Sequence, residues 1–421
     1  MNVLYLHTHD MGRYNQLYGF AARTPAFQSV ADDGILFRNA HSAAPTCSPS
    51  RAALLTGRWP HSNGMTGLAH RGFKLNDPTQ HLSVWLRSHG YETALFGEQH
   101  EAADPAILGY NTILERDISR QLAGDREAAE QAAEFILNYK GEKPLFMSMG
   151  IFAPHGPYIQ PLGDINPNCV QPPIGVPDLD ETRLKYAKYL AYVEYADSCA
   201  ETVLRALKER GIYDDTLILL TTDHGVSFPK MKCWLYDAGT AVTLALKIPG
   251  AAGNKINDAL VSQIDVFPTL CEIVGIPKPE WLQGKSMLPL IHGEKEQINE
   301  AIFSESTYHS TYNPMRAVRT QRYKYIRRFH NDLSQKPRPA DKVDILAYGE
   351  ELYNSYEPLP REEMYDILLD PVERNNLAAN ENCKETLEAL RKQLFDWMSE
   401  TEDPLLKGDY PAPAGARLDA M

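Results

Sequence analysis

Two hydrophobic patterns share the chain: short, nearly unbroken apolar runs, and longer segments with a helical repeat. The runs NVLYL, YETALFG, PLFMSMGIF and DTLILLTTD predict strands. Helices are predicted over 24–34, opened by Thr24-Pro25 and stopped at Gly34, and over 48–57, with Pro49 in the first turn. HLSVWLRSHG, ending at Gly90, REAAEQAAEFILNYKG, VSQIDVFPTLCEIVG and the long DETRLKYAKYLAYVEYADSCAETVLRALKERG repeat the helical period. Strand–helix alternation with strands apolar on both faces predicts an α/β fold, a large mostly parallel sheet sandwiched by helices.

Past residue 312 the texture changes. MRAVRTQRYKYIRRF alternates and is rich in Arg and Tyr, EEMYDILLDPVERNNLA follows, and KETLEALRKQLFDWMSE has a helical repeat. Two units are therefore expected, 1–312 and 313–421. The second is a smaller α+β unit with an antiparallel sheet, a terminal helix and an extended Pro/Gly/Ala-rich tail. RYKYIRRF reads as an edge strand with solvated charges, or as a contact for an anionic substrate.

Composition narrows the function. The chain of 421 residues is 43% hydrophobic and 23% charged, ordinary for a globular protein. A formal charge of -13 argues against nucleic-acid binding, though a local cationic pocket can still take a small anion. Six cysteines, at 47, 169, 199, 233, 271 and 383, form no CxxC pair, which fits reduced thiols and a cytoplasmic location. MNVLYLHTHD shows no signal-peptide pattern, and a trimmed leader stays open. No apolar run reaches membrane-spanning length, so no membrane partner is expected.

Four strand ends carry polar residues: His9-Asp10, His100, His155 and Asp223-His224. Ligands of open α/β sheets bind outside the carboxyl ends of strands. Each case alone also reads as a cap, a turn or a structural histidine; together they point to one mouth. His9, Asp10, Asp223 and His224 are enough donors for one divalent cation. All-oxygen sites select calcium or magnesium, and two imidazoles pull toward manganese or zinc.

Cys47 has three readings. It is a small buried hydrophobe, a thiolate activated at a helix N-terminus, or the precursor of another group. The third comes from the whole string PTCSPSRAALLTG, with C-x-P-S-R ahead of an apolar run and then Thr and Gly. The string resembles the signature of the sulfatase family, in the alkaline-phosphatase-like superfamily, and DVFPTLCEIVGIP and EMYDILLDPVERNNLA resemble its later landmarks. LFRNAHSAAPTCSPSRAALLTG, YDAGTAVTLALKIPG and YNPMRAV are most similar to its heparan N-sulfatase branch.

The resemblance implies a hydrolase for a sulfate ester or sulfamate, with a sugar as carrier. It implies that a formylglycine-generating enzyme oxidises Cys47 to formylglycine, whose hydrate lies on the metal and attacks sulfur. Calcium is then the expected ion. Arg51 would bind the hydrate, His100 would assist breakdown of the sulfated enzyme, His155 would protonate the leaving group, and Lys232 would touch the sulfo group. Help of this kind is worth roughly 10²–10⁴-fold per group.

Several positions depart from the family pattern. Glu98 stands where a lysine is usual, and a carboxylate about 4 Å from an anion costs on the order of 4 kcal/mol at an effective dielectric of ~20. Glu98 is thus expected to turn away, to pair with a cation, or to touch polar groups of the substrate. The usual Asp-Asp and Asp-Asn metal pairs are His9-Asp10 and Asp223-His224 here, and His9 can instead orient its neighbours. Ala153 replaces a carboxylate of the heparan branch. His309 and Arg316, placed where the second unit could fold over the mouth, are candidate substrate contacts, with an ordinary polar loop as the other reading. Two rivals remain: a phosphodiester or phosphonate monoester hydrolase on the same scaffold, and a non-catalytic sulfoglycan-binding protein.

Overall fold

The computed structural model describes residues 1–158, 165–330 and 359–419. In chain order its first strands are β1 (Asn2–Thr8), β2 (Ile35–Phe37), β3 (Ala40–His41), β4 (Glu92–Gly97), β5 (Thr112–Glu115), β6 (Leu145–Ile151), β7 (Thr216–Thr222), β8 (Leu244–Lys247), β9 (Lys255–Asn257) and β10 (Val261–Ser262). Eight of them form one sheet in the order β5-β4-β6-β1-β7-β8-β2-β9, and β3 pairs with β10. From β5 to β7 every pairing is parallel; β8 runs against both β7 and β2. The large, mostly parallel sheet expected from the apolar runs is present.

Both faces of the sheet are covered. Leu4 and Leu6 of β1 pack with helices Pro25–Asp32, Leu122–Asn138 and Asp180–Arg210. Val3 and Tyr5 face the other way, toward helices Cys47–Thr56, Leu82–Ser88 and Val266–Val274. The period of two in a strand sends neighbours to opposite faces, and both faces here are core. One helix begins later than the pattern predicts. Val261–Ser262 is β10, and a 3₁₀ turn at Gln263–Asp265 leads into the helix, with the Ser262 N–H donating to Asp265 Oδ2 at 2.9 Å.

A second, antiparallel sheet runs β11 (Ala301–Tyr308), β12 (Tyr312–Thr320), β13 (Tyr323–Arg328) and β14 (Glu362–Asp366). Its first strand lies ahead of the border drawn at 312, because β11 and β12 are arms of one hairpin; 331–358 of the expected unit lie outside the described residues. Helix Lys384–Glu400 covers one face, with Leu387, Leu390, Leu394 and Trp397 packed on Val318, Tyr325 and Met364. The edge-strand reading of RYKYIRRF is corrected: β13 lies between β12 and β14. Lys324 is buried against Asp237 (2.5 Å) and Glu373 (3.2 Å), and Arg328 against Glu363 (2.5 Å). The tail is extended but docked, since Asp419 pairs with Arg71 at 3.0 Å and its N–H donates to Ser310 O at 2.8 Å.

Arg316, a candidate substrate contact by sequence, is enclosed inside this unit. Its guanidinium meets Asp403 at 2.5 and 3.1 Å and donates to Ser306 O and Thr307 Oγ1. Beside it His61, from the larger unit, bonds the Glu305 carboxylate, so the cluster ties the two units together. Burial would raise the Asp403 carboxyl, but the charge and hydrogen bonds of Arg316, with His61, hold it below the usual range. Asp403→Asn is expected to cost about 1.5–3 kcal/mol, because Arg316 loses the carboxylate that takes two of its hydrogen bonds and keeps only Glu305, at 3.9 Å. The lowered carboxyl contributes fully above its unfolded value. The gap between wild type and variant in urea unfolding should hold from pH 8 to 5 and shrink below about pH 4.

Candidate active site

Parallel strands end on the same edge of a sheet, so β1, β4, β6 and β7 deliver their C-terminal residues to one place. Asp10 follows β1 in the left-handed region (φ +50), a conformation that Asp tolerates better than most residues. Its N–H donates to Asp223 Oδ1 at 2.9 Å, joining the ends of β1 and β7. Gly150 on β6 admits the end of β4. A Cβ there would stand 1.9 Å from Glu98 O and 2.7 Å from His7 Cε1.

Cys47 opens the helix Cys47–Thr56, every residue of which is buried. The helix enters the mouth from the side, its N-terminus toward the strand ends, where backbone dipoles favour negative charge. Ser50 Oγ donates to Asp223 O at 2.6 Å, and Gln263 Nε2 donates to Thr222 O at 2.6 Å, so helix and β7 are held together. Cys47 Sγ lies 3.3 Å from His224 Nε2. Ligand atoms of His9, Asp10, Cys47 and Asp223 all lie within 4.8 Å of one another, and so do those of His9, Cys47 and His100.

The electrostatics of this ring suit a cation. His224 gives its Nδ1 proton to Gly225 O (2.8 Å), which turns the Nε2 lone pair toward Asp10 Oδ1 (3.4 Å) and Asp223 Oδ2 (3.6 Å). Among the described residues, buried Asp10 Oδ1 and both ring nitrogens of buried His9 have no hydrogen-bond partner, although His9 Nδ1 is 3.2 Å from Asp223 Oδ2. Burial, together with Arg51, holds His9 well below the ordinary histidine range. Burial would raise Asp223, but His224, Arg51 and the Asp10 N–H outweigh it and keep the carboxylate charged. Two carboxylates and neutral imidazoles with unused lone pairs fit a bound divalent cation.

Arg51 is 1% exposed. It donates to Thr8 O (2.8 Å), Asp223 Oδ2 (3.2 Å) and His7 Nδ1 (2.5 Å). Because Arg51 is always a donor, His7 carries its proton on Nε2, toward Ser148 Oγ at 3.2 Å. Lys232 Nζ lies 2.8 Å from Asp10 Oδ2 and 3.3 Å from His155 Nε2. His155 is oriented by Nδ1 on Gly156 O (2.7 Å) and by stacking on Phe152 (4.5 Å, 27°). Burial and the charge of Arg51 hold His100 well below the ordinary range, so it is a neutral base.

The structure thus brings together Cys47, Arg51, His9, Asp10, His100, His155, Asp223, His224 and Lys232. Glu98 joins them, paired with Arg116 (3.4 Å) and His100 (3.5 Å); burial raises its carboxyl to about 7 against the pull of Arg116. His309 is buried at the β11–β12 turn, where the Tyr308 N–H donates to Thr66 O. The segment beyond Thr66 carries His70, whose ring is 5.8 Å from that of His100. Arg316 is not at the mouth. Sequence reasoning missed His7, Arg116 and Asp125. His7 had a signal, since it sits two residues before His9 and shares its side of the strand; Arg116 and Asp125 had none.

Comparison with known proteins agrees with this geometry. The sulfatase family model matches residues 1–276, and that for the C-terminal part of N-sulphoglucosamine sulphohydrolase matches 224–357. An ulvan-active sulfatase of Formosa agariphila is 30% identical over 96% of this chain and 81% of its own. Human N-sulphoglucosamine sulphohydrolase is 29% identical over 96% of this chain and 91% of its own. A phosphonate monoester hydrolase of Agrobacterium radiobacter shares the fold, with a TM-score of 0.77 and 19% identity over 96% of this chain and 97% of that one. No helix among the described residues is long and apolar enough to cross a membrane. With a family match over residues 1–276 and Cys47 placed in a ring of carboxylates and imidazoles, the chain belongs to the sulfatase family.

Proposed function

We propose that the chain hydrolyses a sulfate ester or sulfamate carried by a saccharide and releases inorganic sulfate. One observation carries this reading: Cys47 begins a buried helix inside the ring of His9, Asp10, Asp223 and His224. The relatives' names, an ulvan-active sulfatase and an N-sulphoglucosamine sulphohydrolase, support a sulfated sugar as substrate.

In this reading a formylglycine-generating enzyme matures Cys47, and the resulting group supplies the hydroxyl that attacks sulfur. Asp10, Asp223 and His224 hold one divalent cation with His9 beside them. Calcium is the family's ion, and manganese or zinc suits the imidazoles. Arg51 stabilises negative charge at Cys47 from a fixed, buried position. Lys232 puts a cation between Asp10 and His155, where sulfo oxygens are neutralised. His155 keeps its Nδ1 proton on Gly156 O, so Nε2, beside Lys232, is the nitrogen that takes up a second proton and hands it to the leaving oxygen or nitrogen. His100, neutral, accepts one. His309 remains a substrate-contact candidate from the second unit. Six cysteines free of disulfides support a reducing, cytoplasmic location.

Glu98 in place of the family lysine, and the fold shared with a phosphonate monoester hydrolase, favour one rival. A matched set of 4-nitrophenyl sulfate, N-sulfoglucosamine and 4-nitrophenyl phenylphosphonate separates the two. The better of the first two should exceed the phosphonate in kcat/KM by at least about tenfold, or about 1.4 kcal/mol in the transition state. Phosphonate turnover above both would reverse the assignment, and no turnover of any would favour a binding protein.

A further inference from the structure

We propose that Glu98, Arg116 and Asp125 form a buried line of charge that positions both histidines of the mouth, with Glu98 acting on His100 and not on the substrate. The proposal rests on the sulfatase reading of the site.

Glu98 is 6% exposed. Its Oε1 lies 3.5 Å from His100 Nε2 and its Oε2 lies 3.4 Å from Arg116 Nη1, so each carboxylate oxygen has its own partner. Arg116 comes from the residue after β5, and its N–H donates to Gly97 O at the end of β4. Its Nη2 donates to Gln121 O at 2.8 Å, and its Nε lies 3.3 Å from Asp125 Oδ1. One planar guanidinium therefore spans two carboxylates, which a lysine's point charge would not do with fixed direction.

Asp125 carries the line to the other histidine. Its Oδ1 accepts the N–H of Phe152 at 3.0 Å, and its Oδ2 accepts that of Ala153 at 2.9 Å. These are the two residues by which the chain leaves β6 for His155. The Arg116 guanidinium also covers the Phe152 ring at 4.3 Å, and the His155 imidazole stacks on that ring at 4.5 Å, with His9 tilted against it at 5.3 Å. Glu98 thus lies against one histidine, and Arg116 with Asp125 holds the second through Phe152 and the backbone.

The arrangement also explains how the mouth tolerates a carboxylate at a lysine position. A free Glu98 would face the anionic sulfo group. Paired to Arg116 and turned to His100, it spends its charge inside the protein. A misplacement of about 1 Å in a reacting group costs on the order of 10²-fold, so loss of the line should appear in kcat.

The test uses Glu98→Gln, Glu98→Asp and Arg116→Lys in the full chain, with 4-nitrophenyl sulfate for kinetics. A second readout, independent of turnover, is calorimetric binding of N-sulfoglucosamine to Cys47→Ala protein with and without Glu98→Gln. Glu98→Gln and Arg116→Lys should each lose about 10–100-fold in kcat, as loss of an orienting partner does elsewhere. KM and calorimetric affinity should stay within about twofold and Tm within about 3 °C, a stability change under about 1 kcal/mol. Glu98→Asp keeps a carboxylate and should recover part of the loss.

Unchanged kcat in Glu98→Gln, a change confined to KM and affinity, or a loss that tracks a falling Tm would each overturn the proposal while leaving the sulfatase reading intact. A wild-type enzyme that turns over none of the sulfated probes would remove that reading, and this proposal with it.

Discussion

Asp223→Asn should abolish sulfate release and remove the cation from the protein. The side chain is the most heavily used in the mouth. One oxygen accepts the N–H groups of Asp10 (2.9 Å) and His224 (2.8 Å), and the other faces Arg51 and His9, each at 3.2 Å. Asn keeps the shape and loses the charge. Arg51 is then buried beside a neutral amide, at a cost of about 3–5 kcal/mol. Two readouts should move together. Metal content of the purified protein should fall below stoichiometric, and the rise in Tm that added cation gives wild type by mass action should vanish. A variant that still binds one cation per chain would show that the ion lies elsewhere.

Cys47→Ala should leave the fold intact and take activity down by at least about 10⁴-fold, the scale on which loss of a nucleophile acts. The thiol is 3% exposed and its Sγ touches His224, so truncation removes one small buried atom. A stability loss of about 1 kcal/mol is expected from a cavity of that size. Binding of a sulfated saccharide should persist, since Lys232, Arg51 and His155 are held by other partners. The check is sulfate release by ion chromatography beside calorimetric binding. Activity equal to wild type would show that Cys47 is an ordinary core residue.

The candidate site was legible in the sequence where chemistry follows directly from chain order. Apolar runs mark strands, parallel strands end on one edge, and so His9-Asp10, His100, His155 and Asp223-His224 had to share a mouth. Cys47 was legible through a contiguous string. Charged residues whose burial depends on distant partners were not. Arg116 in TILERD and Asp125 in AGDREAAEQ look like solvated ends of a strand and a helix, yet they meet beside Phe152, just past the end of β6. Arg316 looked available because alternation in β12 does not say which side is covered. Asp403, from beyond the terminal helix, closes that side. The same blindness made β13 look like an edge, since β14 lies past residues 331–358. Glu98 sat at a known position with the wrong charge, and only the location of Arg116 tells which way it turns.

The central claim is that the working group of this enzyme is made from Cys47. It is tested most directly by preparing the protein with graded amounts of formylglycine-generating enzyme, then measuring converted Cys47 by peptide mass spectrometry over residues 39–58 and sulfate release from the same samples. The account predicts a straight line through the origin, with no release where conversion is zero. Release that is equal across samples, whatever the state of Cys47, would contradict it.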